Sequence, residues 1–309
     1  MPKNNKYCLL TNDVETTSIW LNTLSDVTGK LVLNEGMPLL LDLYQRYNIK
    51  STFFITGYIA QKFPEIVKMI AEAGHEIGSH SLTHKIEDSI EISNYKKQYY
   101  LLSESKKILE DMSGKEVIAF RSPALRVNSH TAKALQDSGY KIDSSIASQR
   151  FDLFFSFGAL RKLKWLTCPR LPYRTDKNNM FKKGDSDLIE VPISATLLPY
   201  IGTTMRIFPN ITKAQHNLLH IENSINSKPI VFDIHPNELI DESHLERKIT
   251  RRSKNFLSYI VQDYLRSKLK TKNLGINALN LLEREVIYFK NHNYKFTSLK
   301  QYCTESDLL

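Results

Sequence analysis

Short apolar segments that alternate with longer helical ones constrain the fold of this chain most strongly. The short segments are rich in β-branched and aromatic residues, and the longer ones repeat apolar residues at helical spacing. This alternation is typical of β/α units, in which helices cover a parallel sheet. Strands are predicted at 7–14, 51–56, 76–79, 117–121, 141–144, 188–193 and 230–235. Such a set of strands suits an incomplete barrel of the α/β class.

Helices are predicted between and after these strands. Residues 63–73 form the clearest one, because Pro64 stands near the start, apolar residues share one face and Gly74 terminates it. The others are predicted at 38–47, 93–112, 131–137 and 277–291, followed by a strand-like segment at 295–302. Residues 150–187 show no clear period and are interpreted as a long excursion over one face of the barrel.

The length of 309 residues suits a barrel domain with insertions. We interpret 1–240 as a single catalytic domain with a long insertion, and 241–309 as a basic, helical C-terminal extension that packs on the barrel. No run approaches the ~18 apolar residues of a membrane span, and the N-terminus lacks the features of a secretory signal. A cytoplasmic location is therefore expected. The three cysteines, odd in number and far apart, predict reduced thiols.

The net charge of +9 is concentrated in one segment. Residues 247–272 contain nine Lys or Arg and a single acid. Such a cluster fits nucleic acid, an anionic membrane surface or a phosphate-bearing substrate, whereas a solvated helix face explains it without any partner. We expect no nucleic-acid partner and leave open a peripheral contact with an anionic membrane.

The sharpest chemical signal is the pair His80 and His84, which follows a predicted strand. In a helical turn, residues four apart share a face and can bind one ion through their imidazole nitrogens. The carboxyl ends of barrel strands face the active site, which favours a functional interpretation over a chance pair.

Two acids, Asp13 and Glu15, close the first predicted strand. Alternation along an extended chain places both on one side, so one carboxylate could bind a metal while the other acts as a base. The alternative is that these acids cap the helix that follows.

Together these residues belong to a larger ordered set that resembles the polysaccharide deacetylases, the carbohydrate esterase family with a NodB-like domain. The resemblance covers about 5–240 and rests on motifs at strand ends: Asp13/Glu15, His80-x-x-x-His84, Arg121-Ser-Pro123, Tyr140-Lys-Ile-Asp143, Glu190-Val-Pro192 and Asp233-Ile-His235-Pro236. It implies a distorted (β/α)7 barrel, a divalent metal, usually zinc, and hydrolysis of N-acetyl groups from amino sugars.

The resemblance also implies roles for single residues. Asp13 would be the base that takes a proton from metal-activated water, with Arg121 holding it. His80 and His84 would be metal ligands, and His235 would protonate the departing amine. These roles agree with the chemistry of amides, which need both an activated nucleophile and a protonated leaving group.

The sequence departs from the commonest family pattern of two adjacent aspartates, because Val14 follows Asp13. It looks like the Asp-Val-Glu branch, in which the later acid takes the ligand role, so Glu15 is expected to be the third ligand. Two acids compete to orient His235, and of these we prefer Asp143 to Asp233.

Further residues are predicted to contact the substrate. The backbone N–H that follows Pro123, that of Ala124, could complete an oxyanion hole. In the excursion, Tyr173 could stack on a sugar and Arg174 could pair with a phosphate. Asp233 is also placed among the substrate-binding residues.

The favoured function is therefore a metal-dependent hydrolase that removes an N-acetyl group from an amino sugar in a cytoplasmic or lipid-linked glycan precursor. An alternative is a formamido-sugar deformylase or an allantoinase-like C–N hydrolase, because the pocket rather than the fold decides the reaction. A second alternative is a catalytically silent carbohydrate-binding module. The retained base and acid, Asp13 and His235, argue against the silent module.

Overall fold

The computed structural model describes residues 6–148, 165–246, 260 and 264–309. Its strands within these ranges are β1 (Lys6–Val14), β2 (Thr17–Ser18), β3 (Thr23–Leu24), β4 (Thr52–Ile55), β5 (Glu76–Ser79), β6 (Ala119–Phe120), β7 (Ile142–Asp143), β8 (Tyr173–Asp176), β9 (Asn179–Lys183), β10 (Ile189–Glu190), β11 (Ile230–Ile234) and β12 (Tyr294–Phe296).

The α-helices in the described part of the chain connect and cover these strands. They are α1 (Asp26–Leu31), α2 (Met37–Arg46), α3 (Gly57–Lys62), α4 (Pro64–Glu72), α5 (Tyr95–Ser113), α6 (Thr131–Asp137), α7 (Gly202–Ile207), α8 (Pro209–Asn226), α9 (Arg266–Lys270), α10 (Ile276–Asn291) and α11 (Leu299–Glu305). A π-helical stretch, Val32–Gly36, joins α1 to α2.

Seven parallel strands form the centre of the molecule in the order β11-β1-β4-β5-β6-β7-β10. The two outer strands approach each other, because the N–H of Ser194, just beyond β10, donates to the carbonyl of Val231 in β11 at 3.0 Å. Each predicted strand position holds one of these seven strands, so the α/β fold with a distorted (β/α)7 barrel is confirmed.

Two additions extend this sheet beyond the parallel strands. The hairpin β8–β9 pairs antiparallel with β10 and lies in the predicted excursion, of which 149–164 fall outside the described residues. In addition, β12 pairs with the beginning of β1, so the C-terminal segment contributes a strand as well as helices.

The prediction of a strand through 295–302 is only half right. The strand ends at Phe296, and α11 begins at Leu299. The Ser298 side chain caps this helix by accepting from the Gln301 N–H. A hydroxyl that caps the first turn favours a helix at this point.

The five predicted helices are confirmed as α2, α4, α5, α6 and α10, with ends shifted by at most two residues. Helix α8 has 18 residues and was not predicted. Polar residues occupy much of its buried face, including Thr212, Gln215, His216 and Asn223. The apolar period that identifies an amphipathic helix is therefore interrupted.

The barrel core is apolar and contains the buried cysteines Cys8, Cys168 and Cys303, which form no disulfides with one another, as expected. Most of the basic segment 247–272 lies outside the described residues, which resume at 264. In the described ranges, no helix is long and apolar enough to cross a bilayer.

Candidate metal and catalytic site

The polar residues predicted to carry chemistry collect at the carboxyl ends of the parallel strands. Asp13 lies near the end of β1 and His80 directly follows β5. Arg121 directly follows β6, and His235 directly follows β11. Parallel strands bring their carboxyl ends to one face of a barrel, so the topology itself assembles these groups.

One cluster combines Glu15, His80 and His84, the three predicted metal ligands. Their potential ligand atoms all lie within 4.8 Å of one another. His84 Nε2 is 2.7 Å from Glu15 Oε2, and the two imidazole rings are 5.8 Å apart. His80 and His84 do not share a face of a helical turn, as was predicted. Residues 80–84 are a loop in which Ser81 adopts a positive φ of 64°. The loop reversal, rather than a helix face, brings the two rings together.

The chemistry of this cluster fits a divalent metal. Glu15 Oε2 is buried and lies 2.7 Å from His84 Nε2 outside hydrogen-bond geometry, so the two atoms face one position that a metal ion could occupy. The Nδ1 of His80 lies 2.8 Å from the carbonyl oxygen of Arg121, so it carries the proton and leaves Nε2 free to bind an ion. A carboxylate and two imidazoles with an open position are typical of catalytic zinc sites.

Electrostatics in the cluster follow from its mixed charges. Burial opposes the charged form of His84, but the adjacent Glu15 outweighs it and raises the pKa of His84. Burial likewise favours neutral Glu15, yet His84 holds the pKa of Glu15 well below its ordinary value. For His80, burial dominates and lowers the pKa, which favours a neutral, ligating imidazole.

Asp13 lies beside this cluster and is held by Arg121. Its Oδ1 accepts from Arg121 Nη1 at 3.0 Å, while its Oδ2 is 3.7 Å from His80 Nε2 and 3.9 Å from His235 Nε2. Burial favours the neutral acid, but His80 and Arg121 outweigh it and hold the pKa of Asp13 below its ordinary value. An ionised carboxylate between two imidazoles can serve as a base.

Asp233 was predicted to contact substrate, and the structure places it beside Arg121. It is buried and accepts from the same Nη1 of Arg121 at 2.7 Å. Burial and the nearby Asp13 raise the pKa of Asp233 to about 7. Asp13, Asp233 and His235 also lie close enough to share an ion, but Arg121 Nη1 already contacts Oδ1 of both carboxylates.

Arg121 is itself fully buried and saturated with partners. Its Nε donates to the Ser144 carbonyl at 2.9 Å, Nη2 donates to Ser144 Oγ at 2.8 Å, and Nη1 also donates to Thr11 Oγ1 at 2.8 Å. The guanidinium stacks 4.4 Å above the ring of Phe54. A planar cation with several fixed donors is suited to hold a carboxylate in one orientation.

The sequence suggested Asp143 or Asp233 as the residue that orients His235. In the structure, the hydrogen-bond partner of His235 is Glu238. His235 Nδ1 lies 3.0 Å from Glu238 Oε1, at the start of the 3-10 turn Pro236–Leu239. Burial opposes ionisation of His235, yet Asp233 and Glu238 outweigh it and raise its pKa to about 10. The imidazole is therefore protonated at neutral pH.

Asp143 instead belongs to a buried pair with Glu190. It accepts from Ser145 Oγ at 2.6 Å, and Glu190 Oε1 accepts from the N–H of Ile146 at 3.1 Å. Burial raises the pKa of both carboxyls, and that of Glu190 rises further because Asp143 is adjacent. Two neighbouring buried acids share protons more readily than they ionise together, so this pair fits a structural role.

The structure places Tyr173 and Arg174, the two substrate contacts predicted in the excursion, on strand β8. Tyr173 is buried, and its hydroxyl donates to the Met180 carbonyl at 2.6 Å, so its ring offers no free face. Alternation along β8 turns Arg174 the other way, where Nη2 donates to the carbonyl of Leu308 at 2.8 Å.

Pro123 and Ala124 lie immediately beyond Arg121. Pro123 is buried, whereas Ala124 is exposed and adopts a left-handed conformation with φ 53°. The role of the Ala124 N–H in an oxyanion hole stays a prediction.

A cavity of about 330 Å³ opens beside His84. Its walls include Thr16 and Lys85 from loops, Asp26 from the start of α1 and Tyr58 from α3. The size and the mixture of apolar and hydrogen-bonding groups suit a small-molecule or saccharide unit. The candidate ligand His84 therefore borders a space in which substrate can bind.

Glu238 and its partner Arg206 were missed from the sequence. Arg206 Nε donates to Glu238 Oε2, and both side chains are about 1% exposed. The signal that was available is the position of Glu238 three residues after His235, with Pro236 directly after the histidine, which resembles a capping turn.

Comparisons with known proteins agree with this arrangement. Residues 11–142 match the family model described as polysaccharide deacetylase. The peptidoglycan deacetylase of Helicobacter pylori is 29% identical over 150 residues, which are 46% of this chain and 50% of that relative. The chain spans about half the length of the curated relatives it matches.

Solved structures share the fold over nearly the whole chain. A probable polysaccharide deacetylase from Pseudomonas aeruginosa has a TM-score of 0.61 at 16% identity, covering 97% of this chain and 91% of that one. Puue allantoinase has a TM-score of 0.59 at 16% identity, covering 97% and 90%. These likenesses concern the fold, whereas the sequence match covers the strands that carry the metal cluster. The sequence match to the polysaccharide deacetylase family therefore covers residues 11–142, and the fold is shared beyond them.

Proposed function

We propose that this protein is a metal-dependent hydrolase that removes the N-acetyl group from an amino sugar of a glycan. One observation carries the proposal: the candidate ligands Glu15, His80 and His84 lie beside Asp13 and His235 at one barrel face. A metal cluster alone fits binding or structure. A base and an acid on either side of it fit hydrolysis of an amide.

Glu15, His80 and His84 would hold the metal, and zinc suits this ligand set. When bound, a divalent ion polarises the acyl carbonyl and lowers the pKa of a water molecule towards ~7. The protein supplies the orientation, because the Arg121 carbonyl directs the His80 ring.

Asp13 acts as the base through Oδ2, the oxygen that faces both histidines. Arg121 occupies Oδ1 and keeps the carboxylate ionised, so its other oxygen can accept the proton of the attacking water. Because the carboxylate is buried, it is also held in a fixed position, as effective proton transfer requires.

His235 acts as the acid through Nε2. Its Nδ1 is bound to Glu238, so the second nitrogen faces the site and can give its proton to the departing amine. Amines leave poorly as anions, which is why this proton transfer matters for an amide.

The substrate is an N-acetylated amino sugar, which the similarity to a peptidoglycan deacetylase supports. We further propose that the glycan is a lipid-linked precursor. The Lys- and Arg-rich composition of 247–272 supports it, because anionic headgroups attract each basic residue by about 1 kcal/mol. Vesicle sedimentation with and without anionic lipid tests this part separately, and equal sedimentation in both would contradict it.

The proposal is tested by incubating purified, zinc-loaded protein with a panel of N-acylated compounds. The panel contains N-acetylglucosamine oligosaccharides, nucleotide-linked and lipid-linked N-acetyl amino sugars, a formamido sugar and allantoin. Mass spectrometry should show loss of acetyl from an amino sugar, and His235→Ala should abolish it. Release of formate alone, or opening of allantoin alone, would replace the proposed reaction. No turnover at all would favour a binding module.

A further inference from the structure

Glu238 binds the catalytic histidine candidate through one carboxylate oxygen. Its Oε1 accepts from His235 Nδ1 at 3.0 Å and from the backbone N–H of His235 at 3.3 Å. Because Nδ1–H donates to a carboxylate, the proton is fixed on that nitrogen. The Nε2 atom is then left to face Asp13 Oδ2, 3.9 Å away.

The other oxygen of Glu238 is held just as firmly. Oε2 accepts from Arg206 Nε, and both residues are buried. Arg206 Nη1 in turn donates to the carbonyls of Lys270 and Lys272, each at 2.8 Å. The carboxylate therefore cannot rotate away from His235 without breaking a buried ion pair that is tied to the C-terminal segment.

The backbone around Glu238 also leaves room for it. A Cβ atom on Gly202, at the start of α7, would come within 2.5 Å of Glu238 Oε1. Contacts that close do not occur in folded proteins, so a larger residue would displace the carboxylate or the helix. The 3-10 turn and α7 thus meet at the Glu238 side chain, and the C-terminal end of α9 is joined to it through Arg206.

We propose that Glu238 is a positioning residue for His235, and that Arg206 keeps Glu238 in place. Its function is to hold the imidazole so that Nε2–H points at the leaving nitrogen. As the C–N bond breaks, its electron pair goes to nitrogen and the Nε2 proton forms the new N–H bond. Nδ1–H stays with Glu238, and the imidazolium becomes neutral imidazole. This inference rests on the proposed amide hydrolysis.

A purely structural role for Glu238 makes a different prediction. If the residue only stabilised the turn, its loss would affect all reactions at the site equally. If it positions an acid, its loss should matter for substrates whose leaving group must be protonated and little for those whose leaving group departs as a stable anion. The ratio of amide to activated-ester turnover separates the two.

The test compares zinc-loaded wild type with Glu238→Gln on two substrates, the best N-acetyl amino sugar of the panel above and 4-nitrophenyl acetate. We expect kcat on the amide to fall roughly 10- to 100-fold, with zinc content and KM preserved and the ester rate changed by no more than about two-fold. Equal losses on both substrates, or no loss on the amide, would overturn the inference. A wild type inactive on every N-acyl compound would instead refute the proposed function.

Glu285→Gln is a matched control. Glu285 is also buried and lies 2.9 Å from a histidine Nδ1, that of His216, but this pair is on α10 and α8, away from the site. Its loss should lower stability without changing the amide-to-ester ratio. An equal change of that ratio in both variants would overturn the inference.

A second measurement needs no substrate. In ¹⁵N-histidine NMR spectra of the zinc-loaded protein, assigned with His235→Gln, wild-type His235 should carry protons on both ring nitrogens throughout the neutral range, because Asp233 and Glu238 stabilise the imidazolium. In Glu238→Gln the neutral amide no longer stabilises the imidazolium, so the pH at which the Nδ1 and Nε2 signals move apart should fall. Unchanged signals in the variant would also overturn the inference.

Discussion

Arg121 Nη1 lies 3.0 Å from Oδ1 of Asp13 and leaves Oδ2 of the same carboxylate turned towards His80 and His235. The same nitrogen also holds Asp233 at 2.7 Å. Two carboxylates therefore share one guanidinium in a buried site. This arrangement keeps Asp13 ionised and oriented, but it places two like charges close together, which costs stability.

We predict that Asp13→Asn removes activity without loosening the fold. Loss of a general base lowers kcat by about 10²- to 10⁴-fold. The amide keeps the shape of the carboxylate and removes its repulsion of Asp233, so the free energy of unfolding should stay equal or rise. Deacetylation assays and urea unfolding of the metal-free protein check the two parts. A variant that is markedly less stable would contradict the second.

Metal binding should stabilise the fold through Glu15, His80 and His84. A ligand at 100 times its Kd adds about 2.7 kcal/mol to the free energy of unfolding. Zinc should therefore raise the melting temperature of wild type, and a chelator should reverse the change. His84→Ala should lose most of this response because one of three ligands is missing.

The matched control for that prediction is His130→Ala, which removes an exposed histidine that is not one of the candidate metal ligands. Its response to zinc should equal that of wild type. If His84→Ala still responded fully, the metal would be bound elsewhere, and elemental analysis of both variants would show how much zinc each retains.

The barrel could be predicted because its strands are short apolar runs with polar residues at their ends. β1, which ends next to Asp13, and β5, which ends next to His80, illustrate this. Strand ends of a parallel barrel meet at one face, so residues far apart in sequence could be expected to lie close together. His80 and His84 were predicted to lie together because residues four apart share a helix face, but a loop rather than a helix joins them.

Contacts between distant segments could not be predicted in the same way. Nothing local to Arg206 indicates that it binds Glu238, because their contact depends on how α7 packs beside the 3-10 turn. The partner of His235 was likewise assigned to Asp143, although Asp143 faces Ser145 and Glu190. Sequence motifs identify which groups lie at a site, whereas hydrogen-bond partners depend on distances set by tertiary packing.

His75 should make stability depend on pH. It is buried against Tyr44 and Phe53, its Nδ1 has no hydrogen-bond partner, and burial together with Lys50 lowers its pKa to about 4. Below pH ~6.5 the unfolded chain binds a proton that the folded protein binds only near pH 4. Its contribution to stability is therefore present above pH 6.5 and lost as the pH falls from 6.5 to 4.

Urea unfolding at pH 7, 5.5 and 4.5 tests this contribution. Each pH unit in that window should cost wild type up to about 1.4 kcal/mol from this group. His75→Gln should flatten the dependence, whereas His130→Gln should keep it. Parallel curves for His75→Gln and wild type would show that other groups cause the acid sensitivity.

Gly202→Ala should act on catalysis through Glu238. The added Cβ would stand 2.5 Å from Glu238 Oε1 and 2.9 Å from Ile234 Cγ1, so the carboxylate must move away from His235. We expect a loss of amide turnover similar to that of Glu238→Gln, and a stability loss of about 1–3 kcal/mol from overpacking.

A double-mutant cycle identifies the cause of that loss. Glu238→Ala removes the carboxylate that the new Cβ would strike, so adding Gly202→Ala to this variant should cost much less stability than adding it to wild type. Residues in contact show such non-additivity, whereas independent sites add. If Gly202→Ala lowered stability equally in both backgrounds, the added Cβ would disturb α7 or Ile234 and not Glu238. Amide turnover of the Gly202→Ala variant should then stay near that of wild type.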